Sequence, residues 1–169
     1  MLASSLASDQ AAAGEMRASP PLTYTPVMGK DLEHFEIEKT PAAEDIQFLD
    51  DRLYEYNMEA TGIRNGELLA IFVRDAGGEI EAGISGWTWG DCSRIDKLWV
   101  REDRRAGGLG RHLVAAFERE AARRGCSLVA LSSHSFQAPG FYQKLGYEQW
   151  AVLDGYPSPH RECYLKKRL

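Results

Sequence analysis

Long apolar runs are missing from this sequence, so no segment is expected to cross a bilayer as a helix. Positive charge is in deficit: 20 Lys and Arg against 25 Asp and Glu leave a formal net charge of −5. That balance argues against nucleic acid or an anionic membrane as a bulk partner. Cysteine is scarce. Cys92, Cys126 and Cys163 are widely spaced, odd in number and not set at ligand spacing from histidine. They suggest neither a disulfide framework nor a zinc site, so no metal is expected and a reducing cytoplasm fits best.

Residues 1–28 lack apolar periodicity and are rich in Ala and Ser, then Pro. They are expected to form a disordered tail ahead of a domain at 29–169. No basic region precedes a sustained apolar stretch, and Asp9 and Glu15 interrupt the candidate, which argues against a secretory signal. Arg17 is its lone arginine, too few for a transit peptide. The remainder has room for one core: the chain has 169 residues, 44% of them hydrophobic and 10% aromatic.

The apolar pattern predicts alternating strands and helices. His34–Glu38 reads as a first strand. Thr40 and Pro41 then open a helix as N-cap and first helical residue, with Leu49, Leu53 and Tyr56 as its inward stripe. Leu68–Val73 is a near-continuous apolar run, expected to be buried on both faces. The turn at 75–78 leads into Glu79–Trp89, where Ile80, Ala82 and Ile84 alternate with Glu79, Glu81 and Ser85. A turn at Gly90-Asp91 precedes a strand ending at Val100. Helix 109–124 carries Leu109, Leu113 and Phe117 inward, exposes Glu118, Arg119, Glu120, Arg123 and Arg124, and stops at Gly125. A strand near 128–131, a helix at 138–145 and strands at 147–153 and 162–166 complete the chain. Hairpins followed by a strand–helix–strand crossover give an α/β layered fold with a mixed sheet and helices on its faces.

The most informative stretch is Arg105-Ala106-Gly107-Gly108-Leu109-Gly110, which lies between the strand ending at Val100 and the helix from 109. A glycine-rich turn opening a helix presents unpaired N–H groups and the positive end of the helix dipole, a seat for phosphate or pyrophosphate. It is not a Walker loop, because the chain has no Gly-Lys-Ser/Thr ending there. Nor is it the dinucleotide fingerprint, which needs glycine where Leu113 stands. The pattern that fits is Arg-x-x-Gly-x-Gly, on Arg105, Gly108 and Gly110.

Here the chain resembles the GNAT superfamily of acyl-CoA-dependent N-acyltransferases, whose pyrophosphate loop reads Gln/Arg-x-x-Gly-x-Gly/Ala. The resemblance continues through Leu98-Trp99-Val100, the helix and the next strand, and into the segment from Ser135 to Tyr147. There Ala138, Tyr142, Gly146 and Tyr147 fall on the pattern Asn-x-x-Ala-x-x-x-Tyr…Gly-Phe/Tyr, with Ser135 in place of Asn. It implies one mostly antiparallel sheet with a splayed parallel strand pair that admits the pantetheine arm of acetyl-CoA. Carried over, backbone groups of Leu98, Trp99 and Val100 would hold the arm. Arg105, Ala106, Gly107, Gly108, Leu109, Gly110 and Arg111 would hold the pyrophosphate, and Ser135 and Ala138 would sit beside the arm. Of the basic residues around the loop, which include Arg101 and Arg104, Arg105 and Arg111 are favoured first.

Acetyl transfer to an amine needs the ammonium deprotonated, the oxyanion stabilised and the departing thiolate protonated. Tyr142 stands at the family's tyrosine and is expected to be the proton donor; without the motif it would read as a core aromatic. Asp96 shares strand parity with Leu98 and Val100 and is a candidate base. A salt bridge to Arg94 is an equal reading of it, and ordered water could replace any base. His134 reads more simply as polar surface. Trp87, Trp89 and Trp99 read as packing residues, with Trp99 in the core layer; Trp87 or Trp89 could wall an acceptor pocket. Tyr156 and His160 are candidate acceptor contacts. Gln137 could stand in for the missing Asn.

The reading is an acetyl-CoA-dependent N-acetyltransferase acting on a primary amine of a small molecule or peptide, with no metal and no covalent intermediate. A sheet-edge homodimer is compatible with it. Its rivals are a non-catalytic acyl-CoA-binding sensor of the same fold and a different nucleotide-binding α/β domain.

Overall fold

The computed structural model describes residues 37–169, and the sheet and its helices all belong to the compact unit Ala42–Leu169. Helix α1 (Ala43–Thr61) leads to strands β1 (Glu67–Arg74), β2 (Ile80–Trp89) and β3 (Cys92–Val100). A short 3₁₀ turn (Glu102–Arg104) precedes α2 (Leu109–Arg123). Strand β4 (Leu128–His134), helix α3 (Pro139–Lys144) and strands β5 (Glu148–Asp154) and β6 (Arg161–Arg168) complete the order. The sheet order is β1-β2-β3-β4-β6-β5, antiparallel except for β3 and β4. The expected mixed, layered α/β architecture is therefore the observed one.

The core lies where α2 and α3 cover one face of the sheet. Leu113, Val114 and Phe117 of α2 meet Ile84, Ile95, Val129, Leu131 and Leu165, with Tyr142 and Tyr147 closing the α3 side. Leu109 packs against this cluster, so the predicted stripe of α2 is confirmed. Helix α2 ends before Gly125, whose φ of +88° suits glycine. Four of its predicted outward residues are not free: Glu118 pairs with Lys167 at 2.9 Å, Arg123 and Arg124 pair with Glu120 at 2.7 and 2.8 Å, and Arg124 also reaches the Leu68 carbonyl at 3.1 Å.

Some expectations lie outside the described residues, and others fail for tertiary reasons. The tail at 1–28 and most of the strand read at His34–Glu38 lie outside the described residues; Ile37 and Glu38 are not in a strand. Helix α1 starts two residues later than predicted, capped by the extended Ala42 with no side-chain bond, rather than by Thr40. Its stripe of Leu49, Leu53 and Tyr56 is exposed; the helix touches the domain through Tyr54, whose hydroxyl accepts the Gly66 N–H at 2.8 Å. Strand β1 is not buried on both faces. Among the described residues it is an edge strand, with Leu69 buried but Leu68 85% exposed. On β2, Ala82 and Ile84 are buried as the alternation predicts, but Ile80 is exposed and Glu81 buried. Trp99 is not in the core layer; it is 49% exposed.

Candidate active site

Strands β3 and β4 pair only from Cys92 with Leu128 to Ile95 with Leu131, and beyond that point they part. The divergence is prepared on the other side of β3. There the β2–β3 register slips between Ser85 and Gly86, so that Lys97 faces Ser85, Ile95 faces Gly86, and Asp96 has no partner. This is a β-bulge, which bends the strand and re-aims the residues beyond it. Gly86 permits it, since a Cβ there would overlap the Arg94 carbonyl. The slip also breaks the parity that would have grouped Asp96 with Leu98 and Val100. Asp96 is exposed and accepts a hydrogen bond from Arg94 Nε at 3.0 Å, the salt bridge that the sequence allowed as its alternative role.

Two cavities open along the parting strands. One, of about 450 Å³, is lined by Leu98, Val100, Arg104, Arg105, Ala106, Gly108, Leu109, Gly110, Arg111, Ala138 and Phe141. The other, of about 430 Å³, runs past Asp96, Lys97, Leu98 and Trp99 on one side and Leu131, Ser132 and Ser133 on the other. Gln137, Ala138, Phe141 and Tyr142 close its end. Leu98, Ala138 and Phe141 border both, so the two are halves of one cleft.

At the loop end of the cleft, Ala106 and Gly108 have positive φ, +64° and +81°, and Gly108 caps α2 without a side-chain bond. The backbone N–H groups from Ala106 to Arg111 make no hydrogen bond to any described backbone group; the first that does is that of His112, to the Gly108 carbonyl. These amides, at the positive end of the α2 dipole, are arranged as an anion seat would require.

The arginines around the seat divide. Arg101 is committed to Asp75, Glu81 and Asp103, at 3.4, 3.4 and 2.7 Å. Arg104 lines the cleft while its Nη2 lies 3.2 Å from Oε1 of the buried Glu81. Arg105 donates from Nε to the Val100 carbonyl at 3.0 Å, fixing the loop to the end of β3. Arg111 lines the cleft.

At the splayed end, Tyr142 is buried at 8% exposure, and burial alone pushes its phenol up to about 12. Ser135 does not line the cleft: its Oγ accepts the Arg161 N–H at 3.2 Å, tying the end of β4 to β6. Gln137 does line it and accepts the His134 N–H on Oε1 at 2.9 Å. Cys126 is buried, and burial raises its thiol above the ordinary range, which disfavours a thiolate.

Lys97, Phe141 and Ser132 belong to the cleft and were not singled out from the sequence. Phe141 had a local signal, being next to Tyr142 in the motif. Lys97 and Ser132 are brought in by the splay, which leaves no trace in periodicity.

In sequence and fold the chain is similar to known acetyltransferases. The family model for the acetyltransferase (GNAT) domain matches residues 67–149. A blasticidin-S acetyltransferase of Streptomyces morookaense is 37% identical over 107 residues, covering 61% of this chain and 76% of that protein. An acetyltransferase of Agrobacterium fabrum is 26% identical over 135 residues, 80% of this chain and 98% of its own. The crystal structure of an acetyltransferase from Bacillus cereus superposes with a TM-score of 0.66 at 31% identity, covering 79% of this chain and 98% of that one.

Proposed function

Because this chain belongs to the GNAT acetyltransferases, we propose that it transfers an acetyl group from acetyl-CoA directly to a primary amine of a small molecule or peptide. One observation carries the reading. A single cleft runs from the unpaired amides of 106–111 to Tyr142, between strands that have stopped pairing. Such a groove suits a ligand with an anionic end, an extended arm and a reactive tip.

In this reading the pyrophosphate lies on the amides of 106–111, with Arg104, Arg105 and Arg111 around it. The arm runs along the backbone of Leu98, Trp99 and Val100 past Ala138. The amine nitrogen attacks the thioester carbonyl, forming the C–N bond. A backbone N–H at the bulge, at Lys97 or Leu98, donates to the oxyanion. Collapse breaks the C–S bond, and Tyr142 gives its proton to the departing thiolate. A phenol held near 12 stays protonated at neutral pH and so is always ready as an acid. The ammonium's proton leaves through Asp96 or through water. Asp96 is available on the cleft wall, where it is paired with Arg94. Similarity to a blasticidin-S acetyltransferase makes small-molecule antibiotics the first acceptors to screen.

Thermal unfolding tests the co-substrate. Acetyl-CoA at a hundredfold excess over its Kd should add about 2.7 kcal/mol and raise the midpoint by on the order of 5–10 °C. Gly108→Trp, which fills the anion seat and strains a positive φ, should abolish that rise. A shift with ATP or NAD and none with acetyl-CoA would reject the reading. Binding without turnover across an amine panel would favour the non-catalytic sensor.

A further inference from the structure

On the sheet face turned away from α2, the β4–β6 register sets Ser132 opposite Tyr164 and His134 opposite Glu162. Cross-strand partners share a face, so these four side chains form one patch. Ser132 also lines the cleft, which makes the patch continuous with the reacting end. Glu162 is its half-buried centre. Hydrogen bonds from Ser132 and Tyr164, the latter 2.8 Å from Oε2, hold its carboxyl below the usual range, with His134 and Arg94 nearby.

A carboxylate so held is a poor proton acceptor. Its two oxygens keep lone pairs that Ser132 and Tyr164 do not use. Among the described residues it has no ion-pair partner, and the nearby Arg94 is already paired with Asp96. Aromatic rings flank it. His134 stacks on Tyr156 at 5.9 Å and on Phe136 at 5.1 Å, and Tyr164 lies 6.0 Å from Trp150. An ionised carboxylate bordered by ring faces is suited to a cation.

The reacting nitrogen must shed a proton, and an adjacent fixed carboxylate would oppose that. The favoured occupant is therefore another charge. From β3 across the gap to β6 spans about two strand spacings, roughly 10 Å before side-chain reach is subtracted, so a cation at Glu162 can belong to the molecule whose amine is acetylated. Building on the acetyl transfer proposed above, we propose that Glu162 is the recognition site for a second cationic group on the acceptor. The chain then selects diamines and guanidino-amines over monoamines.

Cadaverine and pentylamine test this, since they differ only in the second ammonium. The wild type should prefer cadaverine in kcat/KM. Glu162→Gln keeps the hydrogen-bonding shape but removes the charge, and should cut that preference about tenfold, chiefly through KM. NMR titration of each amine in the absence of acetyl-CoA reads the same site without turnover, and should show about tenfold weaker cadaverine binding in the variant. An unchanged cadaverine-to-pentylamine ratio in both measurements overturns the inference. So does an equal fall in kcat for both amines, which would make Glu162 the base. The acetyl-CoA thermal shift is read separately. Its absence would reject the acetyltransferase reading while the amine titration still decides the role of Glu162.

Discussion

Tyr142 and Tyr147 meet edge to face, their ring centroids 5.7 Å apart and their planes at 74°, yet only Tyr142 lines the cleft. Burial raises both phenols. The Tyr147 hydroxyl is buried with no hydrogen-bond partner among the described residues. Tyr142→Phe is expected to lower kcat at least about a hundredfold with little change in KM for acetyl-CoA. Tyr147→Phe removes an unsatisfied hydroxyl and should leave kcat intact, with stability equal or up to about 1 kcal/mol higher. Steady-state release of CoA and thermal midpoints check both. The pH profile adds a sign: an acid is lost as pH rises through its pKa. With Tyr142 near 12, kcat should show no falling alkaline limb between about pH 7 and 10.

Gly86 is where β2 yields to the bulge in β3, and an added Cβ would meet the Arg94 carbonyl rather than a movable side chain. Gly86→Ala should destabilise the fold by roughly 1–3 kcal/mol. It should also reduce kcat, because the displaced strand carries the amides proposed to face the oxyanion. Chemical denaturation paired with kinetics separates the two effects. A fully active, equally stable variant would remove the bulge from the mechanism.

Glu81 is a carboxylate at 8% side-chain exposure, shared by Arg101 and Arg104. Replacing it with Gln should release Arg104 from its anchor and raise KM for acetyl-CoA several-fold while kcat changes little. Both arginines are partly exposed, so the stability loss should be modest, on the order of 1 kcal/mol. A pure stability loss with unchanged KM would confine Glu81 to a structural role.

At the far end of α2, Arg123 and Arg124 hydrogen-bond Glu120 at 2.7 and 2.8 Å and draw its carboxyl from 4.5 to about 2. A depressed folded-state value means that this stabilisation is complete above the ordinary value and is lost as pH falls through about 2. Glu120→Gln should therefore flatten the dependence of the thermal midpoint on pH across that acid window. Identical slopes in both proteins would contradict the linkage.

The anion loop was legible in the sequence because its signal is local: glycines between a strand and an amphipathic helix, with Tyr142 in a spaced motif downstream. Helix α2 was legible for the same reason. The features that escaped depend on neighbours. Leu68 and Leu49 are apolar but exposed, because the sequence does not reveal which strand is an edge or which helix face is covered. Asp96 lost its predicted parity to a slip specified by Gly86 on a different strand. Glu81 is buried because two arginines distant in sequence come to meet it. Glu162 comes beside the cleft-lining Ser132 only through cross-strand register with β4, which no pattern in its own strand announces.

The interruption between β3 and β4 also divides the sheet mechanically. On one side stand β1, β2 and β3, on the other β4, β6 and β5, each an antiparallel unit with long ladders. Within the sheet, the ladder that joins them is the short run from Cys92 to Ile95. That seam is the shortest ladder of the sheet, so a rotation about it would change the mouth of the cleft. Slow opening motions should therefore be shared by whole half-sheets, with Ile95 and Leu131 at the pivot.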